Sequence, residues 1–149
     1  MALATALLVL SACGPGPEVT ASPSADASPS PVSTAPAAPE LVPDGTADDN
    51  LPIFTSVSEA VWATDQRGAG RAYIDALVAV GFDRADMQVT QDVTTVGNAA
   101  ESMQFSVRWG DDECLVGQVG PSTGQVVTAV MPQLAEGRCL VGTTRAIDW

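Results

Sequence analysis

A chain of 149 residues is enough for one ordinary domain with tails. Eighteen Asp and Glu stand against six Arg, with no Lys and no His, so the net charge is −12 and a nucleic-acid partner, which needs a basic footprint, is excluded. The same absences remove Ser/His/Asp and Cys/His nucleophilic machinery, histidine metal sites, Lys Schiff bases and the phosphate-loop Lys, leaving carboxylates, hydroxyls, Arg and thiols.

Residues 2–10 (ALATALLVL) form an unbroken run of apolar and small residues before Ser11, Ala12 and Cys13. The run is too short for a bilayer span, which takes about 20 apolar residues, and fits the apolar core of an export signal. Leu10, Ser11, Ala12 and Cys13 resemble the bacterial lipobox, which implies a diacylglycerol thioether on Cys13 and membrane attachment through that lipid. No basic residue precedes the run, so an upstream start codon is expected, with Met1 inside the signal. Residues 1–13 are therefore expected as a signal peptide with lipobox, and the mature protein as extracytoplasmic and anchored to the cell membrane.

Residues 14–50 hold eight Pro, seven Ala, five Ser and three Thr, with no aromatic and no basic residue. Proline favours extended geometry, and so little apolar bulk cannot offset the entropy of ordering, which predicts a disordered acidic tether. Fully extended, it reaches roughly 110 Å. Residues 44–50 (DGTADDN) have no glycine at the position a calcium loop requires and no distal glutamate, so no metal site is assigned there.

Residues 51–149 contain every Trp, Phe and Tyr of the chain and are expected to form the folded domain. Asn50 before Leu51 and Pro52 reads as a helix start, and Ile53, Phe54, Val57, Ala60 and Val61 recur on one face. A second helix is predicted over about Gln66 to Val80, buried through Tyr73, Ile74, Leu77 and Val78. It is stopped by Gly81, with Phe82 folding back on Leu77. The period then changes to two. Met87 to Gln91 reads as a short strand, and Ser102 to Trp109 as a clear one, with Met103, Phe105, Val107 and Trp109 inward and Ser102, Gln104, Ser106 and Arg108 toward water. A turn at Gly110–Asp112 leads to a strand over Glu113 to Val119, and a second turn at 120–124 to a strand over Gln125 to Met131. Gaps this short demand antiparallel neighbours. The fold class predicted is α+β, two N-terminal helices packed on one face of a small antiparallel sheet.

Cys114 and Cys139 are the thiols that remain once Cys13 is assigned to lipid, and in an exported domain they are expected to pair. The 25-residue separation closes a loop worth roughly 3 kcal/mol. Neither has an adjacent Cys, Lys or His to lower its pKa, so the bond reads as structural, not redox-active. Asp111, Asp112 and Glu113 are the densest charge run. Paired carboxylates can hydrolyse glycans, but successive acids in a turn point apart and toward water, whereas a catalytic acid needs burial. Arg71 and Asp75 are one helical turn apart and expected to pair on the surface. Trp62, Trp109 and Trp149 are candidates for a ligand platform, with Trp109 assigned to the core and Trp149, the last residue, either docking or a liability.

Four blocks carry a resemblance: GRAYIDALVAVGFD (70–83), MQVTQDVTTVG (87–97), SMQFSVRWGDDECLVGQVG (102–120) and GRCLVGTTRAIDW (137–149). With the lipobox and tether, they make the chain similar to a family of small secreted actinobacterial lipoproteins whose shared domain has no assigned function. The resemblance implies export, lipid at Cys13 and an α+β domain with two cysteines, and supplies no catalytic residues. No catalytic residue, cofactor or metal site is assigned. The function expected is a non-enzymatic surface module that binds an envelope protein, a wall polymer or a small ligand. The alternative is a carboxylate-based cell-wall glycan hydrolase.

Overall fold

A computed structural model describes residues 37–149. The lipobox with Cys13, the signal and residues 14–36 of the expected tether lie outside the described residues. The chain order is α1 (Ala47–Trp62), α2 (Gly70–Ala79), β1 (Met87–Thr90), β2 (Met103–Trp109), β3 (Glu113–Val119), β4 (Val127–Pro132) and β5 (Thr144–Arg145). The strands form one antiparallel sheet in the order β4-β3-β2-β1-β5. Helices followed by a meander agree with the α+β expectation; β5, only two residues long, is too short to show a period in the sequence.

The first helix begins three residues before Asn50. Thr46 is its cap: the Asp49 N–H donates to the Thr46 hydroxyl at 3.1 Å, and the Asp49 carboxylate accepts from the Thr46 N–H at 2.9 Å. This reciprocal capping box satisfies two otherwise orphaned donors, and Asp48 and Asp49 complement the helix dipole. Asn50 is instead buried inside the helix. Its amide donates to the Val42 and Thr46 carbonyls, both at 2.9 Å, and its oxygen accepts from the Val42 N–H at 2.8 Å. Residues 41–50, expected in the tether, therefore belong to the domain: Ala47 and Asn50 are fully buried and Leu41 packs on the core.

The second helix starts at Gly70, not Gln66. Ala69 offers no side-chain cap, and the Asp92 carboxylate, 22 residues on, accepts from the Gly70 N–H at 2.9 Å. Its end is as expected. Gly81 has φ of 107°, the Gly81 N–H donates to the Val78 carbonyl and the Phe82 N–H to that of Leu77, the paired bonds of a Schellman ending.

Both helices lie on one face of the sheet, because Phe54 of α1 and Tyr73 of α2 both pack on Phe105 of β2, with centroids 5.6 and 4.5 Å apart. Opposite Phe105 on β3 stands Gly117, where any Cβ would overlap the Phe105 ring. The missing side chain is what lets Phe105 lie flat on the sheet. Trp109 packs edge-on against Phe82 and donates its indole N–H to the Gly45 carbonyl at 2.8 Å, holding the segment before α1 on the core.

The other face is not wet throughout. Beyond β4, residues 133–143 return over it to reach β5 at the opposite edge. Cys139 is bonded to Cys114 of β3, and the Gln88 side chain of β1 accepts from the Cys139 and Leu140 N–H groups at 2.9 and 3.2 Å. Ser106, expected toward water, is consequently buried, and its hydroxyl has no hydrogen-bond partner among the described residues.

Candidate functional site

At one end of the sheet, the end of α1, three connecting segments and two strands surround a cleft of about 400 Å³. Trp62 comes from the last turn of α1, and Arg67 and Gly68 from the connection to α2. Asp92, Ala99 and Ala100 come from the β1–β2 loop, and Gly120, Pro121 and Gly124 from the β3–β4 turn. Met103 and Val119, paired across β2 and β3 and almost fully buried, form its base. The volume and mainly apolar wall are those of a small-molecule pocket.

The walls are held by bonds between segments. The Ser122 N–H and hydroxyl both donate to the Glu101 carbonyl, at 3.1 and 2.7 Å, closing the β3–β4 turn on the neighbouring loop. The Tyr73 hydroxyl donates to the Arg67 carbonyl at 2.9 Å, fixing the backbone beneath that side chain. Burial pushes the Tyr73 phenol up to about 12, against a smaller downward pull from the Arg67 guanidinium.

The two charged wall residues differ. Asp92 is neutralised: Arg145 donates to both carboxylate oxygens at 3.0 and 2.9 Å, and the Gly70 N–H supplies a third bond. Arg67 is exposed, lies 5.8 Å from the Trp62 ring centroid in cation–π contact, and has no carboxylate within ion-pair distance among the described residues. The cleft therefore presents an apolar interior with one unspent positive charge at its edge.

The residues singled out in the sequence are dispersed. Asp111 and Asp112 are exposed in the turn after β2, which Gln133 braces by donating to the Gly110 and Glu113 carbonyls at 3.1 Å. No Asp or Glu among the described residues is buried, and none of their acidic and cysteine groups is placed to hold a metal. Cys114 and Cys139 have Cα atoms 5.7 Å apart in their disulfide. Arg71 pairs with Asp75 at 3.2 Å as expected, within a larger clasp: Arg84 also reaches Asp75, and the Trp149 indole donates to it at 3.0 Å. Arg84 also donates to the Trp149 carbonyl, and Arg71 and Arg145 flank the Trp149 ring at 5.5 and 5.1 Å. Burial raises the Asp75 pKa, but the hydrogen bonds from Trp149 and Arg71 and the nearby guanidinium charges outweigh it and hold the carboxyl below its ordinary value. Of the three Trp, only Trp62 lines the cleft. Arg67, which the sequence pattern places inside the second helix, carries no mark along the chain beyond lying five residues from that Trp.

Residues 58–143 match the model of a family described as Domain of unknown function (DUF6993). The chain belongs to this family. The DUF6993 span is 86 of 149 residues and includes Trp62, Arg67, the cleft base and both disulfide cysteines. No curated protein and no solved structure matches the chain.

Proposed function

We propose that this DUF6993 protein is a non-enzymatic binding module of the cell envelope, held by lipid on Cys13 and carrying its ligand in the Trp62–Met103–Val119 cleft. The observation that carries the reading is the cleft itself, apolar and bounded by segments tied to one another by hydrogen bonds. The acids favour binding over glycan hydrolysis. Those with partners are committed to Arg pairs, caps or backbone donors, and an exposed carboxylate lacks the burial that raises the pKa of a catalytic acid. The lipobox-like Leu10–Cys13 and the actinobacterial lipoprotein resemblance support the address.

Two measurements test it. Cys13→Ala should move the protein from the membrane fraction to the medium or to a precursor band; unchanged fractionation without lipid mass on the N-terminal peptide overturns the anchor. Small apolar ligands should shift the Trp62 indole and Met103 methyl resonances, and Ala100→Phe, which fills the cleft, should abolish the shifts. Wall-glycan turnover abolished by a single Asp or Glu substitution would overturn the binding reading.

A further inference from the structure

We infer that the cleft selects monoanionic amphiphiles, an aliphatic body with a single carboxylate, and that Arg67 is the residue that reads the charge. The inference rests on the cleft being a binding site, as proposed above, and adds what it binds. Three observations carry it. The base is made of buried Met103 and Val119, which reward an apolar chain and offer no hydrogen bond to a polar one. Asp92, the one acid in the wall, is saturated by Arg145 and the Gly70 N–H, so it neither attracts a cation nor needs one. Arg67 has its backbone fixed by Tyr73 and its guanidinium beside Trp62, without a carboxylate partner among the described residues.

A guanidinium seated on an aromatic ring keeps its outer N–H donors free, and its planar fork matches a carboxylate in two parallel bonds. The partner is limited to one negative charge by the rest of the molecule. A net charge of −12 disfavours every anion in proportion to its charge, and the cleft edge offers one guanidinium to offset it, so each negative charge beyond the first is repelled without a partner. An amine would bring a second cation to Arg67, and the acid that lines the wall, Asp92, is already paired with Arg145. An alcohol would keep the apolar contacts and forgo the charge-assisted pair.

The test uses the full chain at physiological ionic strength and three probes of equal length: octanoate, octanol and octylamine. Binding is followed by the Trp62 indole and Met103 methyl resonances. Octanoate should bind about tenfold or more tightly than octanol, the scale of one charge-assisted pair, and octylamine more weakly than both. Arg67→Gln should erase the difference between octanoate and octanol measured within that variant, whatever the lost Trp62 contact does to the affinity both probes share. Arg67→Lys should retain part of the preference. Octanol binding as tightly as octanoate, or a preference that survives Arg67→Gln, overturns the ligand class while the cleft stands as a binding site. Failure of all three probes to move either resonance overturns both.

Discussion

Raising the pH should destabilise this domain through a single side chain. Tyr73 is fully buried, stacked on Phe105 with the centroids 4.5 Å apart, and its hydroxyl donates to the Arg67 carbonyl. Its phenol is pushed from 10.0 to about 12 by burial. Below 10 the folded and unfolded chains both hold the proton, and this group's contribution is fully present. Between 10 and about 12 the unfolded chain has released the proton and the folded one has not, so stability falls as pH rises and the loss is complete once the folded phenol ionises. Two pH units correspond to roughly 2.7 kcal/mol, a substantial share of a small domain's stability. The composition leaves that window clean, because the chain has one Tyr, no Lys and no His, and Cys114 and Cys139 are bonded. With Cys13 replaced by Ser, urea unfolding across the window should show the decline, and phenolate absorbance of the native protein should rise well above pH 10. Tyr73→Phe should flatten the curve, at a cost of about 1 kcal/mol at neutral pH for the lost hydrogen bond. A native phenol titrating near 10, or an equal decline in Tyr73→Phe, would refute the reasoning.

Replacing Cys114 and Cys139 together by Ala should lower stability by roughly 3 kcal/mol in urea unfolding and speed amide exchange at position 139 and Leu140; a loss well under 1 kcal/mol would mean that residues 133–143 are held without the bond. Gly117→Ala should cost about 1–3 kcal/mol, because its Cβ overlaps the Phe105 ring, with a change in near-ultraviolet circular dichroism as the Phe54–Phe105–Tyr73 stack shifts; unchanged stability would show that the ring has room to move. Asp75 has its folded pKa depressed, so the clasp's contribution is present above the ordinary 3.8 and lost as pH falls through the lower folded value. Trp149 fluorescence should therefore change below pH 3.8, and Asp75→Asn should remove the transition; a midpoint at or above 3.8 would contradict the geometry.

What the chain reveals locally depends on whether a neighbour in sequence or a neighbour in space decides. The strand over Met103–Trp109 and the Gly110–Asp112 turn were legible because alternation and turn chemistry are local, and so was the Gly81 ending, which needs only its own φ and two preceding carbonyls. At the start of α1 four cap-capable residues, Thr46, Asp48, Asp49 and Asn50, crowd the junction and compete for the cap. Asn50 before Pro52 looks like a cap, but Thr46 with Asp49 three residues on makes the reciprocal pair, and this frees Asn50 to bind the backbone of Val42. The start of α2 was illegible in principle, since the group that caps it is Asp92.

Asp92 also explains why the site could not be found along the chain. Its carboxylate meets the first N–H of α2, the Arg145 guanidinium of β5 and the wall of the cleft, so one side chain joins elements separated by 22 and 53 residues. Arg145 reaches it only because residues 133–143 cross the sheet under the Cys114–Cys139 bond and deliver β5 to the edge of β1, a path that leaves no period in the sequence. Once Asp92 is spent in that junction, the charge left to the cleft is that of Arg67. The character of the site is thus set by which carboxylate the far end of the domain neutralises, and composition can show the excess of acids but not that the one in the wall is already taken.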